Sequence, residues 1–142
     1  MTELHNIEEV CAGMREIFER ILGTTSVDEI AGTCLHASIL LQQSIDKFCG
    51  SESVVRGGDG DRNGGLKDTS GRIRGHYWVE GVTGSGIPFV ADITSDQFEW
   101  PPVVVMPLQT ARERYIPGDE AAVGSAVDEE LRRMLRSMSG NS

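Results

Sequence analysis

The sequence predicts an α+β domain, and three observations carry that expectation. Apolar residues recur at helical spacing from Leu4 to Leu22 and again from Val123 to Met138. A denser apolar run from Cys34 to Phe48 has the character of a mostly buried helix. Two strand-like segments, Ile73 to Val82 and Ile87 to Thr94, flank the short linker Thr83-Gly84-Ser85-Gly86.

In the first helix, Leu4, Ile7, Val10, Cys11, Met14, Ile17, Phe18 and Ile21 form one stripe, and polar residues fill the other face. Gly23 ends it. Ser26-Val27-Asp28-Glu29 has the spacing of a capping box and predicts a single helical turn. Gly32-Thr33 breaks the pattern before the central helix, which carries Leu35, Ala37, Ile39, Leu40, Leu41, Ile45 and Phe48. A short strand is expected at Ser53 to Arg56. The stretch Gly57 to Gly71, rich in glycine, Asp and Asn, predicts a long flexible loop or wide hairpin tip. Pro101-Pro102 precedes Val103 to Met106, an edge strand, because proline cannot donate to a ladder. After Pro117-Gly118, Asp119-Glu120 starts a last helix over 119–138, and a frayed tail follows from Ser139. No internal repeat is present.

At 142 residues a single domain, 1–142, is expected, long enough to bury a core without metal or disulfide support. No apolar run approaches the length of a membrane span, and the first residues lack the basic and apolar regions of a secretory signal. Three cysteines cannot all pair within one chain, which predicts reduced thiols and a cytoplasmic location. With 13 basic and 22 acidic residues the net charge is −9, which disfavours a phosphate-backbone interface. Neither nucleic acid nor membrane is an expected partner. The glycine-rich stretch lacks the Walker spacing and opens no helix, so it reads as a mobile flap beside a cleft and not as a phosphate cradle.

The residues with most chemical potential are Cys34, His76 and Asp92. A thiolate nucleophile needs a base, and the base needs an orienting acceptor. Cys34 opens a helix, where unsatisfied N–H groups and the helix dipole favour a thiolate. Thr33 is its expected N-cap, and the Cys34 backbone N–H is a candidate oxyanion donor. A hairpin centred on Gly84 sets His76 opposite Asp92, Trp78 opposite Val90 and Glu80 opposite Pro88, within reach of an imidazole–carboxylate hydrogen bond. Gln97 is a candidate second oxyanion donor. Trp78, on the His76 face, is a candidate shield of the pair from water or plain core, and the two readings are not exclusive. Asp96-Gln97-Phe98 reads as an Asx-type turn or as part of a cleft.

His36 is a candidate support to the site or a zinc ligand with Cys34 and His76, but the paired-ligand spacing of zinc sites is missing and no metal is expected. Cys11 and Cys49 read as packing residues and His5 as an inert helix-surface residue.

A cysteine opening a helix, then His76-Tyr77-Trp78-Val79-Glu80 on a strand, then Asp92 on the next strand resembles the transglutaminase-like branch of the papain-like fold. The resemblance covers about 26–106, with helical flanks at 4–22 and 119–138. It implies a central helix packed on an antiparallel sheet, with Cys34 as nucleophile, His76 as base and Asp92 as orienter. The expected function is that of a cysteine-dependent hydrolase or acyltransferase, a peptidase or deamidase acting on an amide of a protein or peptide, with no cofactor. Processing of a specific peptide is a narrower version. The alternative is a non-catalytic binding or adaptor module on the same fold. Substrate identity and oligomeric state do not follow from the residues.

Overall fold

The computed structural model describes residues 3–22, 33–60 and 64–139. Two long helices come first, α1 (Glu3–Leu22) and α2 (Thr33–Cys49). The strands β1 (Glu52–Gly60), β2 (Gly65–Lys67), β3 (Ile73–Val82), β4 (Pro88–Asp92) and β5 (Val104–Pro107) follow, then the one-turn helix α3 (Leu108–Ala111), β6 (Tyr115–Ile116) and α4 (Glu120–Ser139). A 3-10 turn over Ser95–Phe98 leaves β4. The strands make one six-stranded sheet in the order β5-β4-β3-β2-β6, with β1 paired along β3, and every pairing is antiparallel.

Alternation along the strands gives the sheet two different faces. Val79, Phe89, Ala91 and Ile93 point toward the helices and form one core with Ile7, Cys11 and Phe18 of α1 and Ala37, Leu41 and Ile45 of α2. On the same side, Val55 packs with Ile39, Val123, Leu35 and Tyr77, which brings α4 onto the layer. The other face carries Leu66, Trp78, Val90 and Val104, covered by Ala111, Tyr115, Phe98, Trp100 and Leu108 from the segment after β4. The helix-side clusters account for the helices packed on an antiparallel sheet.

Most expected elements are present, with four corrections. The glycine-rich stretch is not simply a loop: β1 runs through Gly57 to Gly60, and β2 occupies Gly65 to Lys67. Its glycines allow close approach. A Cβ on Gly57 would sit 2.5 Å from the Tyr77 ring and 2.6 Å from the His76 carbonyl oxygen. Second, the β3–β4 hairpin is centred on Ser85, not Gly84, since Glu80 pairs with Val90 and Val82 with Pro88. The loop is Gly84-Ser85-Gly86, closed by the Thr83 N–H to the Ile87 oxygen at 2.9 Å, with Gly86 at φ +97°. Third, Phe48 is exposed and not core, and α2 starts at Thr33, one residue before the expected position. Fourth, the turn after β4 is a 3-10 turn without a side-chain cap, in place of an Asx turn. The capping box at Ser26 and the end of α1 at Gly23 lie outside the described residues, as do residues 140–142 of the tail. Asp119 does cap the last helix, accepting the Ala121 N–H at 3.1 Å.

Candidate functional site

His76 and Asp92 occupy the sheet face turned away from α1 and α2. They are bonded there: His76 Nε2 lies 2.8 Å from Asp92 Oδ2, and both residues are about 1% exposed. The contact expected from the sequence is present, but its geometry differs. Continued one step past the Val79–Ala91 pair, a register centred on Ser85 sets Trp78 opposite Asp92, and His76 reaches the carboxylate along the diagonal. Moving the centre by one position moves the register by two, which preserves the face.

Asp92 accepts four hydrogen bonds. Besides His76, the Tyr115 hydroxyl donates to Oδ2 at 2.8 Å, while the Thr94 N–H and hydroxyl donate to Oδ1 at 2.9 and 3.3 Å. Burial alone pushes the carboxyl pKa up. The charge and hydrogen bond of His76, with the Thr94 amide and the Tyr115 hydroxyl, outweigh it, and the net shift is downward. The carboxylate is therefore ionised and can only accept. Nε2 must carry its proton, which makes Nδ1, a fully buried atom, the basic nitrogen of the neutral ring.

Aromatic rings close this environment. Trp78 stacks near the imidazole at 6.3 Å between centroids, Phe98 meets it edge-on at 4.9 Å, and Tyr115 lies edge-on to Trp78 at 5.2 Å. Trp78 is thus both shield and core. Its indole N–H donates to Glu80 Oε2 at 2.9 Å, and Arg112 grips the same carboxylate with bonds of 2.6 and 2.8 Å. The turn after Asp92 is held by Arg15 of α1, which donates to both oxygens of Asp96 at 2.8 Å and to the Ile93 carbonyl at 2.7 Å.

Cys34 is the second residue of α2; its side chain, like that of Gln97, lies outside the described part of the structure. The backbone still constrains its position. Asp46 accepts hydrogen bonds from Ser51 and Ser53, so the end of α2 sits at the start of β1. From Asp46 back to Cys34 the helix rises about 18 Å, and from Ser53 forward to Gly58 the strand advances about 17 Å. Leu35 and Tyr77 pack on one cluster around Ile39, Val55 and Val123, so the first turn of α2 lies on the helix side of the sheet near the Tyr77–His76 rungs of β3, whereas the His76 side chain points to the opposite face. At those rungs β1 contributes Gly57 and Gly58, paired with Tyr77 and His76, and places no side chain there.

His36 does not join the pair. Its Nδ1 lies 3.1 Å from Glu130 Oε2 of α4, which ties the two helices together. Among the described residues no group of three His, Cys, Asp or Glu side chains could hold a metal ion. His5 is exposed and pairs with Glu9 at 3.2 Å. Cys11 is fully buried in the helix-side core, and burial pushes its thiol pKa well up; burial also raises that of Cys49. Among the described residues no helix is long and apolar enough to cross a membrane.

Tyr115 and Arg15 escape the sequence reading, and Phe98 enters it only within the Asp96-Gln97-Phe98 turn or cleft. Tyr115 belongs to a two-residue strand, too short for any periodicity, and the polar run Glu113-Arg114 before it gives no sign of burial. Together the fold and this site define an α+β protein with a sealed imidazole–carboxylate pair. No protein-family model, curated protein or solved structure matches the chain significantly.

Proposed function

We propose that this chain is a cysteine-dependent hydrolase or acyltransferase of the transglutaminase-like, papain-like type, acting on an amide of a protein or peptide. The observation that carries the reading is the buried Nε2–Asp92 bond at 2.8 Å, which commits one imidazole nitrogen and makes Nδ1 the base. The position of Cys34 in the first turn of α2 adds support, since the unsatisfied N–H groups and dipole of a helix start favour a thiolate.

In this reaction the Cys34 thiol gives its proton to His76 Nδ1, and the sulfur attacks the amide carbonyl carbon. The C–N bond breaks, His76 returns the proton to the leaving amine or ammonia, and a thioester remains on Cys34. Water or an amine attacks the thioester, its proton passes through Nδ1 to the departing sulfur, and the acid or new amide is released. Asp92 holds the ring tautomer throughout. A thiol that must stay reduced is suited to the cytoplasm.

Iodoacetamide labelling followed by mass spectrometry tests this. Cys34 should alkylate near pH 7 roughly tenfold or more faster than Cys49 or Cys11. The volume-conserving His76→Gln should remove that advantage. If Cys34 reacts at the rate of Cys49, the proposal is wrong.

A second reading rests on the sealing of the pair. His76 and Asp92 are about 1% exposed and face away from the body of α2. On that reading the bond is an internal strut and the protein is a non-catalytic binding or adaptor module. The same labelling decides between them.

A further inference from the structure

We propose that Tyr115 is a positioning residue that tunes His76 by donating its hydroxyl to the oxygen that His76 uses. This rests on the catalytic reading for its purpose, though not for its physics. Asp92 Oδ2 accepts from His76 Nε2 and from the Tyr115 hydroxyl, both at 2.8 Å, while Oδ1 is held by Thr94.

Two donors on one oxygen share its negative charge. The phenol therefore weakens the hold of the carboxylate on an imidazolium, and His76 returns to its neutral, basic form more readily than beside Asp92 alone. The hydroxyl also fixes the carboxylate plane and with it the imidazole ring. The phenol is itself well anchored. Its strand pairs with Gly65 and Leu66, its ring packs edge-on to Trp78, and burial together with Asp92 raises its pKa far enough to keep it a donor at all physiological pH.

Other groups face this pair from the described elements. Cys11 of α1 senses the charge of Asp92, Arg114 and Ser95 lie beside Tyr115, and the Arg74 guanidinium stands 5.8 Å over the Phe98 ring. These act on the pair through space or through its neighbours, whereas the Tyr115 hydroxyl donates directly to the oxygen that His76 uses.

The test is NMR of the His76 imidazole in two variants that push in opposite directions. Tyr115→Phe removes the competing donor. It should raise the His76 pKa by about one unit and move the Nε2–H proton downfield. Incorporation of 3-fluorotyrosine in a Tyr77→Phe background, which leaves Tyr115 as the only tyrosine, makes the phenol more acidic and a stronger donor. It should shift both observables the other way. The proton resonance gives an answer even if His76 does not titrate in the accessible range, and the fluorotyrosine arm gives one if Tyr115→Phe fails to fold. An unmoved His76 signal, or the same direction in both proteins, overturns the proposal. The measurement is repeated in Cys34→Ser. A responsive His76 beside a slowly alkylating Cys34 sinks the enzyme reading and leaves the role of Tyr115 standing. A fast Cys34 beside an unresponsive His76 does the reverse.

Discussion

His76 and Asp92 meet along a diagonal of the β3–β4 pair, Nε2 to Oδ2 at 2.8 Å, while Trp78 takes the position facing the aspartate. This arrangement makes the indole a neighbour of both groups and leaves Oδ2 room for a second donor, the Tyr115 hydroxyl. The proton inventory follows from it. An ionised carboxylate only accepts, so each of its four hydrogen-bond partners, Nε2 included, must donate.

Asp92→Asn tests that inventory. Asparagine keeps the size, but the Thr94 backbone N–H holds its oxygen on the Oδ1 side, which turns the NH2 toward the Tyr115 hydroxyl and Nε2–H together. The neutral imidazole then turns to the other tautomer, with its proton on Nδ1, and under the proposed mechanism it can no longer take the proton of the Cys34 thiol. The alkylation advantage of Cys34, and any amide turnover, should fall by roughly 10²–10⁴. NMR of the ring nitrogens should report the tautomer change. Unchanged Cys34 reactivity in a folded Asp92→Asn protein would exclude the role assigned to Asp92.

Asp92 also predicts a pH dependence of stability. Its pKa in the folded protein lies below the ordinary value of 3.8, so folding favours the ionised form. Its stabilisation is complete above the unfolded-state pKa and is lost as the pH falls through the folded-state value. Urea unfolding from pH 7 down to pH 2.5 should show a steeper loss below about pH 4 in the parent than in Asp92→Asn. Parallel curves would contradict this. Asp92→Ala, which strands His76 in the interior, should cost about 3–5 kcal/mol near neutral pH.

The Arg112–Glu80 pair gives a third test. Glu80 is buried and held by two guanidinium bonds and the Trp78 indole N–H. Arg112→Leu leaves that carboxylate without its main counter-charge and should cost about 2 kcal/mol, less than a fully buried pair because the arginine is partly exposed. Glu80→Gln in the same background should recover much of the loss. A double-mutant cycle in urea measures the coupling.

Glycines supply a fourth contrast. Gly65 has φ +139°, and a Cβ there would collide with the Arg74 carbonyl oxygen, so Gly65→Ala should cost several kcal/mol, about 2 or more. Gly124 sits inside α4, where an added methyl would meet nothing within 4 Å, so Gly124→Ala should stabilise by about 0.5–1 kcal/mol. Thermal melts of the two variants should move in opposite directions.

Legibility differed from element to element. The α1 stripe, the α2 run and the limits of β3 were readable because apolar spacing over ten or more residues has one good solution. The stretch from Gly57 to Gly71 misled, since glycine serves both flexibility and close packing, and only neighbouring strands show which. At the site, His76 and Asp92 were readable because both lie on one hairpin, where face is a matter of parity. Tyr115 was not: its contact with Asp92 spans 23 residues and depends on where a two-residue strand docks. The partner of His36 was not readable for a related reason, because Glu130 lies 94 residues away on another helix.

The sequence by itself determined the α+β class, the two long helices, and the shared face of His76 and Asp92, all of which follow from local periodicity and one short turn. Tertiary structure alone decided the diagonal register, the sealing of the pair by Trp78, Phe98 and Tyr115, and the second donor on Asp92 Oδ2. Those depend on how segments distant along the chain pack together, and packing selects by shape and hydrogen-bond satisfaction, which no local pattern encodes.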